Sequence, residues 1–509
     1  MANGGVDQAR TNCTCCRYVL CGVSLVSFAE INFTEGEGLF QGTFASTQRS
    51  LKRVTIGALL FSLCAPMSVA NADEAVDTLT MESYVQPLNA DPLTAADVAG
   101  ANGIARLRAM QTDEALSAAL PHEVIGEARS AAPRATETSA QPPMPAPAAP
   151  EADGVNAAAI SLPEPPHTMT LSECVGQLGT KQFYVKSRYA VCSGRQFGQI
   201  WYSNGRAVGQ SHFDVVVIGT IPKNSRDMTA TYHYTDFTAT GTNAAPAMGI
   251  TTSASIPKSW PSTAAILKGG TLPSTKKWAE LLSGLTIKHT ITALSGQPGT
   301  LGSTRMISAI YQPNIKLVAP PGWGAEPFTG GDIFMFPPRW DEADYLPSHT
   351  AGGAAVFSIL PTLTYSTAAS APEREVALHI KKAFTTPHLT MPPLATKRLA
   401  GQHTDEPLTR LYHDSERRKK NRSRALWNCV KHFRPNYPQD GKECDEFPFA
   451  TTYQGAAASE HDPLQDPRNF SVLPISAESN GAGGILLGQF YDLNRLIDGP
   501  DDGFLVKIT

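Results

Sequence analysis

Cys444-Asp445-Glu446-Phe447-Pro448-Phe449-Ala450-Thr451-Thr452-Tyr453-Gln454-Gly455 is the stretch on which the reading of this chain turns. Two adjacent carboxylates lead into an apolar run that reads as a short strand, with a cysteine fixing the entry. Asn480-Gly481-Ala482-Gly483-Gly484 follows, then a helix-like run ending in Gln489-Phe490-Tyr491. Working outward, residues 470–475 and 504–508 read as further strands, so the C-terminal region is expected to be a small α+β unit.

At 509 residues the chain exceeds one ordinary domain, and two or three compact units are expected. Hydrophobic content of 42% suits globular parts, while 41 glycines and 39 prolines imply long irregular stretches. A formal charge of −4 argues against a protein that coats nucleic acid. It leaves room for an enzyme that grips a few phosphates through a local basic patch.

Arg49, Lys52 and Arg53 precede the apolar residues 54–69, and Ala70-Asn71-Ala72 supplies a small-x-small cleavage pattern before Asp73. This is the pattern of a signal peptide, so a secreted, extracellular protein is expected, with no membrane segment after cleavage. The apolar core is too short for a spanning helix. Cys64 lacks the small residue before it that a lipoprotein signal wants. A true start further in would strip Cys13, Cys15, Cys16 and Cys21 of meaning; a zinc site is the alternative for those four.

Four cysteines follow residue 72: Cys174 and Cys192, then Cys429 and Cys444. They fall as two local pairs in different regions, which in an oxidising compartment reads as one disulfide per domain. Each would contribute about 3 kcal/mol on the chain-entropy estimate.

Residues 1–72 thus read as N-terminal extension and signal peptide, and 73–166 as an Ala/Pro-rich, disordered spacer, densest in proline over 140–150. Residues 94–130 carry helix-like spacing at Leu107, Met110, Leu116 and Leu120. From 167 to 385 the character is β. A strand through Ile200-Trp201-Tyr202, an Asn204-Gly205 turn and a strand through Phe213–Ile218 form a hairpin signature. Further strand-like runs cover 228–240, 285–291, 307–317 and 354–365, and only 274–285 looks helical. The sum is a β-rich, sandwich-like middle domain. Residues 373–384 alternate at their centre and are expected to close it. His212, His233, His289, His349 and His379 are scattered without ligand spacing and read as ordinary surface or core residues. A Pro-rich linker spans 386–407, and 408–509 form the last unit.

The chemistry lies there. A phosphodiester resists hydrolysis because its oxygens repel a nucleophile and its alkoxide leaves poorly. A divalent cation answers both, and a separate base takes the proton from water. The acid pair, the strand, Asn480 and the helix-like run are parts suited to that task, in order. Upstream, residues 410–427 are basic and helix-like, with Arg417, Arg418, Lys419, Lys420, Arg422 and Arg424 within two turns.

The Cys-Asp-Glu-aromatic-Pro-Phe-Ala motif and the Asn421-Arg422 pair resemble the NucA/NucB family of secreted bacterial deoxyribonucleases, over about the last hundred residues. The resemblance implies a ββα-metal-like domain in which Asp445 is the general base, beside Glu446. It implies Asn480 and Gln489 as oxygen ligands of the metal, with Glu478 and Asp492 as nearby substitutes. Hard oxygen donors favour Mg²⁺ or Mn²⁺ over zinc. Arg422, Arg424, Arg418 and Lys420 would grip the DNA backbone, contacts that carry no base information and suit non-specific cutting.

Blander readings stand beside these. The acid pair alone could be a turn and strand start, the basic run a solvated helix face, and the glycine stretch a loop; it lacks the Lys-Ser/Thr of a P-loop. His432 is a second candidate base. The expected activity is that of a secreted, metal-dependent, sequence-nonspecific endodeoxyribonuclease with DNA as substrate. Two other readings stay open: a toxin with a C-terminal nuclease tip and an inhibitor protein as partner, or a binding protein whose β domain holds a surface ligand and whose nuclease-like module is inactive.

Overall fold

The computed structural model describes residues 78–99, scattered positions between 102 and 110, and 160–509, all within one compact unit, Glu74–Thr509. The signal-like segment, the cysteines of residues 1–72, most of the helix-like stretch 94–130 and the proline-dense 140–150 lie outside the described residues. Among those described, no helix is long and apolar enough to cross a membrane.

The three longest strands, Ala190–Ser203, Arg206–Thr220 and Asp227–Gly241, form consecutive antiparallel pairs. Asn204 and Gly205 make the first turn at φ of 51° and 75°, the left-handed backbone that Asn-Gly pairs adopt at least cost. Along Asp227–Gly241 the buried residues are Met228, Ala230, Tyr232 and Tyr234, the period of two that puts one face inside. These strands belong to an eight-stranded sheet accompanied by a four-stranded and a three-stranded sheet. The sheet curls into a half-barrel rather than lying flat as one layer of a sandwich; strands this long accumulate twist and wrap around their own core.

Leu79–Gln86, placed in the spacer by composition, is a strand of that sheet, paired over its whole length with Ala190–Ser203. Its Met81, Tyr84 and Val85 are buried, enough apolar surface, at about 1.5–3 kcal/mol per large side chain, to offset ordering. The 274–285 segment splits into a strand, Ser274–Lys277, and one helical turn, Trp278–Leu281.

Residues 373–384 do not close the β domain as a strand. They form the helix Arg374–Thr385, with Val376, Ala377, His379, Ile380 and Ala383 buried. That spacing of three to four is helical, and the short alternation at its centre misled. The helix belongs to the C-terminal core, with Leu363, Tyr365, Phe447, Ile475, Leu486 and Phe504. Strand Thr362–Tyr365 also joins that unit, pairing in parallel with Gly503–Ile508. A boundary at 385 or 408 would therefore cut through a shared core. Nor is 386–407 a free linker. Met391 bridges to Val472, Leu394 and Leu399 are buried, and the Lys397 ammonium donates to Pro392 O at 2.6 Å.

The rest of the unit is a basic helix, Ser415–Phe433, an antiparallel pair Lys442–Phe447 and Ser471–Ser476, and the helix Ala477–Leu493 that follows it directly. Half-barrel and C-terminal unit meet through buried charge. Asp502 takes Arg188 Nη2 at 2.8 Å and Arg339 Nη1 at 2.6 Å, and the Arg495 guanidinium grips Asp341. Both expected disulfides, Cys174–Cys192 and Cys429–Cys444, are present.

Candidate active site

The acid strand alternates as an extended chain must. Asp445 lies on the side of Phe447 and Ile475, facing the helix Arg374–Thr385, while Cys444 and Glu446 face the basic helix. Cys429–Cys444 staples the basic helix to the strand one residue before Asp445. The two carboxylates and two of the other expected residues converge on one cavity of about 220 Å³, lined by Arg422, Asp445, Glu446 and Asn480 and walled by Tyr365 and Gly483.

Asp445 is 6% exposed, and its Oδ2 lies 2.6 Å from Nδ1 of His379, itself 2% exposed. Nε2 of the same ring is 2.7 Å from Ser471 Oγ. An ionised carboxylate only accepts, so Nδ1 carries the shared proton; Ser471 then donates to a bare Nε2 or accepts from a protonated one. On the sequence His379 lacks ligand spacing and reads as an ordinary surface or core residue. The signal that finds it is the helical burial pattern 376, 379, 380, 383, in which a histidine takes a core position.

Glu446 is ion-paired with Arg422, whose Nη1 also donates to Cys444 O at 2.6 Å. Burial pushes the Glu446 carboxyl up to about 7; Arg422 opposes this and the Asp445 charge adds to it. Glu446 raises the Arg422 pKa in return, against the pull of burial.

Asn480 lies within the first turns of the helix, not on a loop. Its Nδ2 donates to Glu443 Oε2 at 2.6 Å, and no hydrogen bond engages its carbonyl oxygen among the described residues. The glycines serve packing. A Cβ on Gly483 would come within 2.8 Å of Val376 Cγ2, and Tyr365 donates to the Gly483 carbonyl at 2.7 Å. Close approach of backbone, not a phosphate cradle, is what this stretch needs.

Gln489 is not at the cavity. Nine positions past Asn480, at about 100° per residue, it emerges on the opposite face. There its Oε1 accepts from Leu162 N at 2.8 Å and its Nε2 donates to Ile160 O at 2.9 Å. The basic residues divide too. Arg418 and Arg422 are one turn apart on one face, and Arg418 stacks on Tyr412 with 5.6 Å to the ring centroid. Lys420 and Arg424 point the other way and both pair with Glu460. His432 is on that far side as well. Asn421 is wholly buried and structural: it donates to Ala450 O and Thr452 O and accepts from Ala457 N, holding the loop after the acid strand.

Among the described residues no three His, Cys, Asp or Glu side chains group as a metal site. The oxygen donors at the cavity are the free oxygens of Asp445 and Asn480 and the Glu446 carboxylate. This set fits a Mg²⁺-like ion held by few protein oxygens and mostly by water.

Residues 398–506 match the family model Deoxyribonuclease NucA/NucB. The C-terminal region is thus similar to the family that its motif resembles, and a domain of that family implies hydrolysis of DNA. No curated protein and no solved structure matches the chain.

Proposed function

We propose that the chain is a secreted endodeoxyribonuclease that uses a divalent cation, Mg²⁺ or Mn²⁺, and cuts without sequence preference. The reading is carried by one observation: Asp445, Glu446, Arg422 and Asn480, drawn from three separated segments, line one cavity, with a buried histidine behind the aspartate. Asp445 takes the proton from the attacking water. His379 holds the Asp445 carboxylate in one orientation. Asn480, through its carbonyl oxygen, would hold the cation, which when bound neutralises the phosphate and stabilises the leaving oxygen. Glu446 and Arg422 fix one another, and Arg422 brings positive charge to the phosphate. The hydrogen bonds and packing that orient these groups are in place before DNA arrives, which is what lowers a barrier in a low-dielectric site.

The test is supercoiled-plasmid nicking by the purified full chain with Mg²⁺ or Mn²⁺, with and without chelator, beside the Asp445→Asn variant. Nicking that needs the metal and falls 10²–10⁴-fold in the variant, the usual worth of a general base, supports the reading. Wild-type nicking by the variant would remove Asp445 as base.

A further inference from the structure

On the far side of the basic helix from the cleavage cavity lies a larger groove, about 770 Å³ in volume, between the helix face and segments around Pro392 and Arg468. The helix lines it from Glu416 to His432, with Lys419, Ser423, Trp427 and Lys431 among the residues between. Their spacing of three and four keeps them on one face, and at 1.5 Å per residue the face runs for roughly 24 Å. Five cations, Lys419, Lys420, Arg424, Lys431 and Arg468, face two carboxylates of the lining, Glu416 and Glu460. Glu460 is shared between Lys420 and Arg424, Glu416 pairs with Lys419 and Asp466 with Arg468, so these five cations meet three carboxylates and the groove keeps a smaller positive surplus.

Trp427 stands in the middle of this surface, 42% exposed. The Lys431 ammonium lies over its ring, 4.6 Å from the centroid. An exposed indole in an open groove lined by cations is the arrangement that holds single-stranded nucleic acid: cations track the backbone and the ring offers a surface on which a base stacks.

We propose that this groove binds a single-stranded DNA segment apart from the site of cleavage, with a base on Trp427 and phosphates on Lys431 and on Lys419 and Arg468, whose solvent-exposed pairs with Glu416 and Asp466 are weak enough to exchange. It rests on the nuclease reading for the identity of the polyanion. It gives the enzyme a second hold on a substrate strand on the opposite face of the helix whose Arg422 lines the cleavage cavity. An acidic protein would also be drawn to the cations but does not need the ring, and that difference is measurable.

The experiment measures fluorescence anisotropy of a labelled oligothymidylate with the full chain in chelator, so that no cutting intervenes. Trp427→Ala should bind about tenfold more weakly and Trp427→Phe close to wild type, since stacking tolerates any aromatic face. Lys431→Ala should lower the slope of log affinity against log salt by about 0.7, one single-strand phosphate contact. Affinities for Trp427→Ala and Lys431→Ala within twofold of wild type would overturn the proposal. So would an equal loss of heparin binding in Trp427→Ala, which would leave charge alone and no base contact. Plasmid nicking with Mg²⁺ separates the two readings: a wild type that nicks while both variants bind as it does sinks only the groove, whereas a wild type that never nicks sinks the nuclease.

Discussion

Nδ1 of His379 lies 2.6 Å from Oδ2 of Asp445, with both side chains buried and 66 positions apart in the chain. The contact joins a helix outside the family-matched region, residues 398–506, to the motif inside it. His379→Ala should lower kcat on the order of 10–100-fold, the usual cost of losing a group that orients another, with KM little changed. Steady-state kinetics on a defined oligonucleotide check this. A rise in KM alone would assign His379 to substrate binding.

Asn480 and Gln489 share one helix but not one face, and their variants should differ. Asn480→Ala should raise the Mg²⁺ concentration for half-maximal nicking and leave stability near wild type. Gln489→Ala should leave the metal titration unchanged and cost about 1–2 kcal/mol of stability, because two backbone groups at Ile160 and Leu162 lose their partner. A metal titration that moves in the Gln489 variant would contradict this geometry.

Glu446 gives a pH signature of stability. Its folded pKa, pushed up to about 7 by burial, lies above the ordinary glutamate value of 4.5. The folded state therefore holds the proton better. Relative stability from this group is fully present below about pH 4.5 and is lost as pH rises to about 7. Glu446→Gln should flatten the fall in urea-unfolding free energy between pH 5 and 7. An unchanged slope in that window would place its origin elsewhere.

Asp502 behaves in the opposite sense. Burial raises its pKa, but Arg188 and Arg339 outweigh that and hold it below the usual carboxylate range. Its contribution is present above the unfolded pKa and lost as pH falls through the folded one. Asp502→Ala strands two buried guanidinium groups and should cost about 3–5 kcal/mol, read as a lower thermal midpoint at neutral pH. A loss below 1 kcal/mol would mean that water reaches the arginines.

Much of the site was legible in linear order. Asp445, Glu446, Arg422 and Asn480 sit close to recognisable local signals: the cysteine entry, the helical basic run and the glycine stretch. Asn204-Gly205 fixed a hairpin, because left-handed backbone selects residue type directly. Residues 373–384 and 79–86 are not legible in this way, since a short window holds two periods at once and composition does not reveal what a distant strand will cover. Gln489 failed for a similar reason, as its place on the helix depends on where the helix begins.

What the chain determined by itself were local conformations, the two cysteine pairs and the presence of an acid motif, because each depends on neighbours within a few residues. Only the tertiary structure decided that His379 backs Asp445, that Thr362–Tyr365 completes the C-terminal sheet, and that Asp502 is locked between Arg188 and Arg339. Those partners are far apart in sequence, and they meet because burying a shared apolar core fixes which polar groups must satisfy one another inside it.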